Sequence, residues 1–135
     1  MSDRSKAGSD SEKITINLGY VDLGHIDLLV RDGFYSNRTD FIRTAIRNQI
    51  GRHADEAGKA VRRAELDLGI AHFDRARLEA VAASGDMLDI RVLGLARFAD
   101  DVSSDLARRT IRSLTVLGAL HASPAVKSAL ADRIA

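Results

Sequence analysis

Lys13, Thr15 and Asn17 are polar residues that occupy every second position of the segment 13–18. Isoleucine or leucine fills the positions between them, and a period of two is typical of a half-buried β-strand. The three polar side chains would therefore share the exposed face of one strand. Lysine can donate to guanine, asparagine can pair with adenine, and threonine offers a hydroxyl group and a methyl group. The pattern indicates a strand face that could contact the edges of base pairs.

Two helical patterns follow this strand, and Gly33 separates them. The first runs from about Asp22 to Arg31 with an apolar stripe, and Gly33 has the position of a left-handed C-cap. The second begins near Asn37 or Thr39, where Asn37 and Asp40 approximate a capping box. The exposed N–H groups of its first turn could hold a phosphate.

The segment 13–50 contains one short strand and two short helices, and these bury too little surface to fold alone. Two copies could pair their strands antiparallel and close one core with the helices of both chains. The polar faces of the two strands would then form a ribbon whose shape fits the major groove of DNA. We therefore expect this segment to need a second copy of itself.

The stretch Ser36–Arg47, with the sequence SNRTDFIRTAIR, resembles the second helix of ribbon-helix-helix proteins of the MetJ/Arc/CopG type. The order and spacing of the strand and helices resemble that family too, although Gly19 stands where many members have proline. The resemblance implies an obligate homodimer that binds double-stranded DNA through its ribbon. It also implies that Asn37, Arg38 and Thr39 contact DNA phosphates; the alternative for Asn37 and Thr39 is helix capping alone.

Residues 1–12 are rich in serine, aspartate and glycine, which predicts a disordered arm. Arg4 and Lys6 could contact DNA phosphates from this arm. A solvated tail without such contacts is the simpler interpretation. The arm has no apolar core, so it is not expected to be a signal peptide.

Composition excludes several classes of protein. The chain has no cysteine, which excludes disulfides, thiol catalysis and cysteine-containing zinc sites and fits a cytoplasmic location. No apolar run approaches the ~18 residues of a membrane span. The formal net charge is only +1, so overall charge gives no support to DNA binding, which depends largely on phosphate neutralisation.

An internal repeat with a period of about 24 residues occupies the second half of the chain. Residues 90–94 (IRVLG) are echoed by residues 114–118 (LTVLG), and a weaker copy starts at residues 66–70. Each unit is a strand-like run followed by a helix-like run. The predicted strands are Leu66–His72, Leu88–Phe98 and Ser113–His121, and the predicted helices are Arg75–Ala83, Ser103–Ile111 and Pro124–Ile134.

Repeated strand–helix units with short connections predict parallel strands, and hence a short solenoid-like domain over residues 66–135. Leu93, Leu95 and Leu117 break the alternation. They are predicted to lie on the outer face of the sheet, away from the helices, where a partner could bind. Three small layers make a marginal core with unpaired edges. We expect this domain to join dimers, sense a ligand or bind a protein.

Catalytic and metal sites are not expected. The chain has four histidines, none paired at the ligand spacing of one helical turn: His25, His53, His72 and His121. His72 and His121 each end a predicted strand and could meet, yet exposed histidines are the favoured interpretation. Asp100, Asp101 and Asp105 are interpreted as a solvated turn and helix start rather than a catalytic pair. No nucleotide-binding or hydrolase motif is present, so neither an enzyme nor a cofactor is predicted.

The sequence thus predicts an α+β protein with a disordered arm (1–12), a ribbon-helix-helix domain (13–53), a linking helix (54–65) and a β-α repeat domain (66–135). The favoured function is a sequence-specific transcriptional regulator, in particular a repressor, that acts as a homodimer or higher oligomer. The alternative is a scaffold or antitoxin-like protein. In that case the first domain only dimerises, and the repeats bind a protein partner or self-assemble.

Overall fold

The computed structural model describes residues 11–135, so the predicted phosphate contacts of Arg4 and Lys6 lie outside the described residues. The helices are α1 (Tyr20–Arg31), α2 (Arg38–Arg52), α3 (Ala54–Ala64), α4 (Arg75–Ala83), α5 (Ser104–Thr110) and α6 (Pro124–Leu130). The strands are β1 (Asp67–Phe73), β2 (Leu88–Phe98) and β3 (Ile111–His121). The described chain divides into two compact units, residues 11–60 and 61–135. None of these helices is both long and apolar enough to cross a lipid bilayer.

Helix α1 ends at the glycine that the sequence marks as its C-cap. Gly33 has a φ of +87°, the left-handed region that glycine adopts at little cost. The N–H of Phe34 donates to the Leu29 carbonyl at 2.9 Å, and the N–H of Gly33 donates to Val30 at 3.1 Å. These two bonds form a Schellman motif, which satisfies carbonyls that the helix end would leave unpaired. The predicted role of Gly33 is confirmed.

The first unit leaves most of its apolar side chains uncovered. Ile26 is the only buried residue among residues 11–60. Six apolar residues are exposed over more than half of their surface: Ile14, Ile16, Tyr20, Val21, Phe34 and Ile50. One copy of this unit therefore lacks a core of its own.

Residues 13–18 adopt neither helix nor strand in the single chain. Helix α1 begins soon after them, at Tyr20, which is earlier than the predicted start at Asp22. The partner predicted for this strand is the same segment of a second copy, so the strand and its pairing stay a prediction.

The second unit is built on a three-stranded parallel sheet in the order β1-β2-β3. Its register pairs Ile90 with Leu114 and Gly94 with Gly118, the same residues that the repeat in the sequence aligns. The predicted α+β class and the predicted parallel strands are thereby confirmed.

One face of the sheet carries the core of the second unit. The hydroxyl oxygens of Ser103 and Ser123 accept hydrogen bonds from the N–H groups of Leu106 and Val126, at 3.0 and 3.2 Å. These N-caps fix the starts of α5 and α6, whose apolar sides then face the strands. The largest fully buried apolar side chains are Leu78, Val92, Ile111, Leu114, Val126 and Leu130.

The C-terminus departs from the prediction. Helix α6 ends at Leu130 and gives way to a short 3-10 turn, whereas the sequence predicted one helix as far as Ile134. Ile134 instead forms a parallel bridge with Leu114, and the N–H of Ala135 donates to the Leu114 carbonyl at 3.0 Å. The chain leaves the helix because its last residues pair with the free edge of β3. Strand β3 also starts earlier than predicted, at Ile111.

The other face of the sheet is apolar and largely open. Leu68, Leu93 and Leu117 lie in register across the three strands and outside the core cluster. Leu68 is 69% exposed and Leu117 is 54% exposed, while Leu93 is half-buried. Leu95 comes two positions after Leu93 and lies outside the core cluster, which agrees with the predicted outer face, but only 8% of the residue is accessible to a partner. Apolar residues on the two flanking strands shield it.

Three glycines form a row across the sheet. Gly69, Gly94 and Gly118 pair in register and have φ values of +114°, +139° and +124°. A Cβ atom on Gly94 would collide with the Gly69 carbonyl oxygen, and one on Gly118 would collide with that of Gly94. The strands can therefore approach at this level only because Gly94 and Gly118 lack side chains, whereas a Cβ atom on Gly69 would meet nothing within 4 Å.

Candidate nucleic-acid interface

The predicted base-contacting residues Lys13, Thr15 and Asn17 are all exposed. The residues between them are exposed as well: Ile14 by 72% and Ile16 by 57%. Because the segment is irregular in the single chain, the structure does not yet bring the three polar side chains onto one strand face. A paired strand would have to bury the two isoleucines on one side and display the polar side chains on the other.

The start of α2 is closed by a reciprocal pair of side chains. Asn37 has extended backbone, and its side-chain oxygen accepts from the N–H of Asp40 at 2.8 Å. The Asp40 carboxylate in turn accepts from the N–H of Ser36 at 2.9 Å. The predicted capping interaction is present, although the return bond reaches Ser36 rather than Asn37. It holds the first turn of α2 in a fixed conformation.

Two backbone donors remain open at this helix start. Among the described residues, the N–H groups of Arg38 and Thr39 have no hydrogen-bond acceptor. The N-terminus of a helix also carries about half a positive charge. Two unpaired N–H donors at this position therefore favour the binding of an anion. The oxygen of the Asn37 side chain is used by the cap, which leaves its amide nitrogen as a third donor.

The side chain of Arg38 is already engaged. Its Nε and Nη2 atoms both donate to the Asp27 carboxylate at 2.8 Å, which joins α1 to α2. These hydrogen bonds lower the pKa of Asp27 and raise the pKa of Arg38. Sequence reasoning missed this pair because its members lie on different helices, and no local spacing rule connects them.

Helix α2 supplies two further cations. Arg43 and Arg47 lie four residues apart, so they share one side of the helix. Both are exposed, and neither forms an ion pair with a described residue. Positive charge is therefore concentrated locally on α2 although the whole chain is nearly neutral.

No metal centre is found among residues 11–135, in which histidine, aspartate and glutamate form no cluster of three or more possible ligands. Of the aspartates considered above, Asp105 pairs with Arg109 at 3.0 Å on the surface of α5.

The comparison with known families gives one match. A family model described as the ribbon-helix-helix transcriptional regulator family matches residues 9–127. The match extends over both compact units, so the second unit belongs to the pattern that defines the family. No curated protein and no solved structure matches the chain.

Proposed function

Because the chain belongs to the ribbon-helix-helix transcriptional regulator family, we propose that it is a homodimeric repressor that recognises a specific DNA sequence. The resemblance found in the sequence between Ser36 and Arg47 agrees with this membership. The observation that carries the proposal is the segment 13–18, whose isoleucines are exposed and whose polar residues alternate with them.

Dimerisation would cover the surface that the first unit leaves open. Burying one isoleucine side chain contributes about 1.5–3 kcal/mol. Ile14 and Ile16 from each chain, together with Val21 on α1 and Phe34 in the loop after α1, are candidates for this shared core because all four are more than half exposed. Antiparallel pairing of the two segments 13–18 would also satisfy their backbone hydrogen bonds.

In this dimer the ribbon provides specificity and α2 provides affinity. Lys13, Thr15 and Asn17 would contact base edges in the major groove. The open N–H groups of Arg38 and Thr39, with the side chain of Asn37, would bind the DNA backbone at each end of the ribbon. Arg4 and Lys6 would add phosphate contacts from the arm.

A mobility-shift experiment with selection from random DNA duplexes tests the proposal. The double variant Lys13→Ala/Asn17→Ala should bind at least tenfold more weakly and select no consistent sequence, since each good bidentate base contact contributes about 1–3 kcal/mol of discrimination. The matched control is Asn48→Ala/Lys59→Ala, which removes the same residue types from exposed helical positions. The control should select the same sequence as the wild type.

The proposal would be wrong if the ribbon variant kept the sequence preference of the wild type. Failure of the wild type to bind any duplex at low salt, where phosphate contacts are strongest, would also contradict it.

A second role is favoured by the open face of the sheet. Leu68 and Ile70 lie on β1 and Leu117 lies on β3, on either side of β2, and each of the three is more than half exposed. We propose that a second copy of the same unit covers this face and joins dimers into a tetramer. If DNA binding fails while this assembly persists, the scaffold or antitoxin-like function becomes the better description.

A further inference from the structure

The carboxyl ends of the three strands place a row of basic side chains at one edge of the sheet. His72, Arg97 and His121 are paired in register across β1, β2 and β3. Together with Lys127 of α6, they line an open cavity of about 660 Å³. In sheets of parallel strands, the carboxyl ends are where ligands commonly bind, and the volume is in the range of small-molecule sites.

Positive charge predominates in this cavity. Arg97 and Lys127 are basic side chains, and neither forms an ion pair with a described residue. Asp100 is the one carboxylate among the residues that line the cavity. The two histidines add ring nitrogens that can donate hydrogen bonds. The lining therefore favours an anion.

Arg97 gives an independent indication. Its Nη2 atom is buried and has no hydrogen-bond partner among the described residues. A buried donor without an acceptor has lost its hydrogen bonds to water and forms none within the protein, so its desolvation is unfavourable. Arg97 lines the cavity, so a small movement of its side chain would bring the guanidinium to an oxygen acceptor there and remove this deficit. Guanidinium is also the group best suited to binding carboxylate or phosphate through paired N–H donors.

We propose that this cavity binds a small organic anion through a carboxylate or phosphate group, with Arg97 as the principal donor. Lys127, His72 and His121 provide additional donors, and the Phe98 and Pro124 side chains form apolar parts of the lining. The site lies wholly within the second unit, so it does not depend on the proposed DNA-binding function.

Isothermal titration calorimetry on the full chain tests this site, with inorganic phosphate and succinate as separate probes at constant ionic strength. The wild type should bind one of the two saturably, with one site per chain. Arg97→Met should bind it at least tenfold more weakly. Without ligand, Arg97→Met should unfold at or above the wild-type temperature, because the nitrogen that it removes is unpaired.

The control is Arg91→Met, which changes the same residue type earlier on β2, where Arg91 lies 3.5 Å from Glu65 outside the cavity. It should bind the anion as the wild type does. Lys127→Met, at an exposed position, is a second test of the site if Arg97→Met does not fold. It should weaken anion binding several-fold. The proposal would be overturned if neither phosphate nor succinate bound saturably to the wild type. Equal affinity in the wild type and in the folded cavity variants would do the same.

Discussion

At the residue scale, Arg38 joins α1 to α2 through Asp27 and is also one of the proposed DNA phosphate contacts. Its guanidinium makes two hydrogen bonds to Asp27, and the same fork of donors suits a phosphate. Because these bonds lower the pKa of Asp27, the carboxylate stays charged, and keeps its ion pair with Arg38, to a lower pH than an ordinary aspartate would. In the proposed complex, a DNA phosphate would therefore either displace Asp27 or bind to the backbone N–H groups of α2 alone.

We expect Asp27→Ala to strengthen DNA binding several-fold, because the released guanidinium can neutralise one further phosphate per chain. Measured across salt concentrations, the logarithmic slope should become steeper by about 0.9 per added phosphate. Asp32→Ala is the control, since it removes the same charge from a weaker 3.5 Å contact with Arg31. An equal gain in DNA affinity in both variants would show that the effect comes from net charge, and would exclude a specific role for Arg38.

Single residues were predictable where the interaction is local. An N-cap side chain bonds a backbone group only two or three residues further on, so Asn37 and Ser123 could be recognised from the sequence. The Asp27–Arg38 pair could not, because it depends on how α1 and α2 cross. The buried nitrogen of Arg97 could not be predicted either, since burial of a single atom depends on the tertiary structure.

At the element scale, the glycine row sets how closely the strands pack. Gly94→Ala should destabilise the second unit by about 3 kcal/mol or more, because it combines a strained positive φ with a collision against Gly69. Gly85→Ala is the control: its φ is +76°, yet a Cβ atom there meets nothing within 4 Å. Gly85→Ala should lower the free energy of unfolding by about 1–2 kcal/mol. Urea unfolding of both variants measures the difference, and equal costs would show that the collision is relieved by a small shift of β1.

The order of elements was predictable because each pattern repeats along the chain. Alternation of apolar residues marked the strands, and Ser123 followed by Pro124 marked the start of α6. The low accessibility of Leu95 on the outer face was not predicted, and the end of α6 at Leu130 was predicted wrongly. Both are decided by neighbouring strands, through shielding by β1 and β3 in the first case and pairing with β3 in the second.

At the scale of the whole molecule, each unit exposes an apolar surface of its own. The first unit exposes Ile14 and Ile16, and the second exposes Leu68 and Leu117. The sequence predicted that the first unit needs a second copy, because one short strand and two helices cannot enclose a core. The sequence could not give the geometry with which either surface would meet a second copy, since local residue spacing does not determine the shape of a partner surface.

Two surfaces of this kind predict two separable steps of assembly. The wild type should have the mass of a tetramer or larger particle in analytical ultracentrifugation. Leu68→Gln/Leu117→Gln should reduce it to a dimer that still binds DNA, because only the face of the sheet is altered. Ile14→Gln/Ile16→Gln is the reciprocal control and should abolish DNA binding while the sheets still associate. If the wild type is already a dimer, or if both variants lose the same contact, the open face of the sheet does not join dimers.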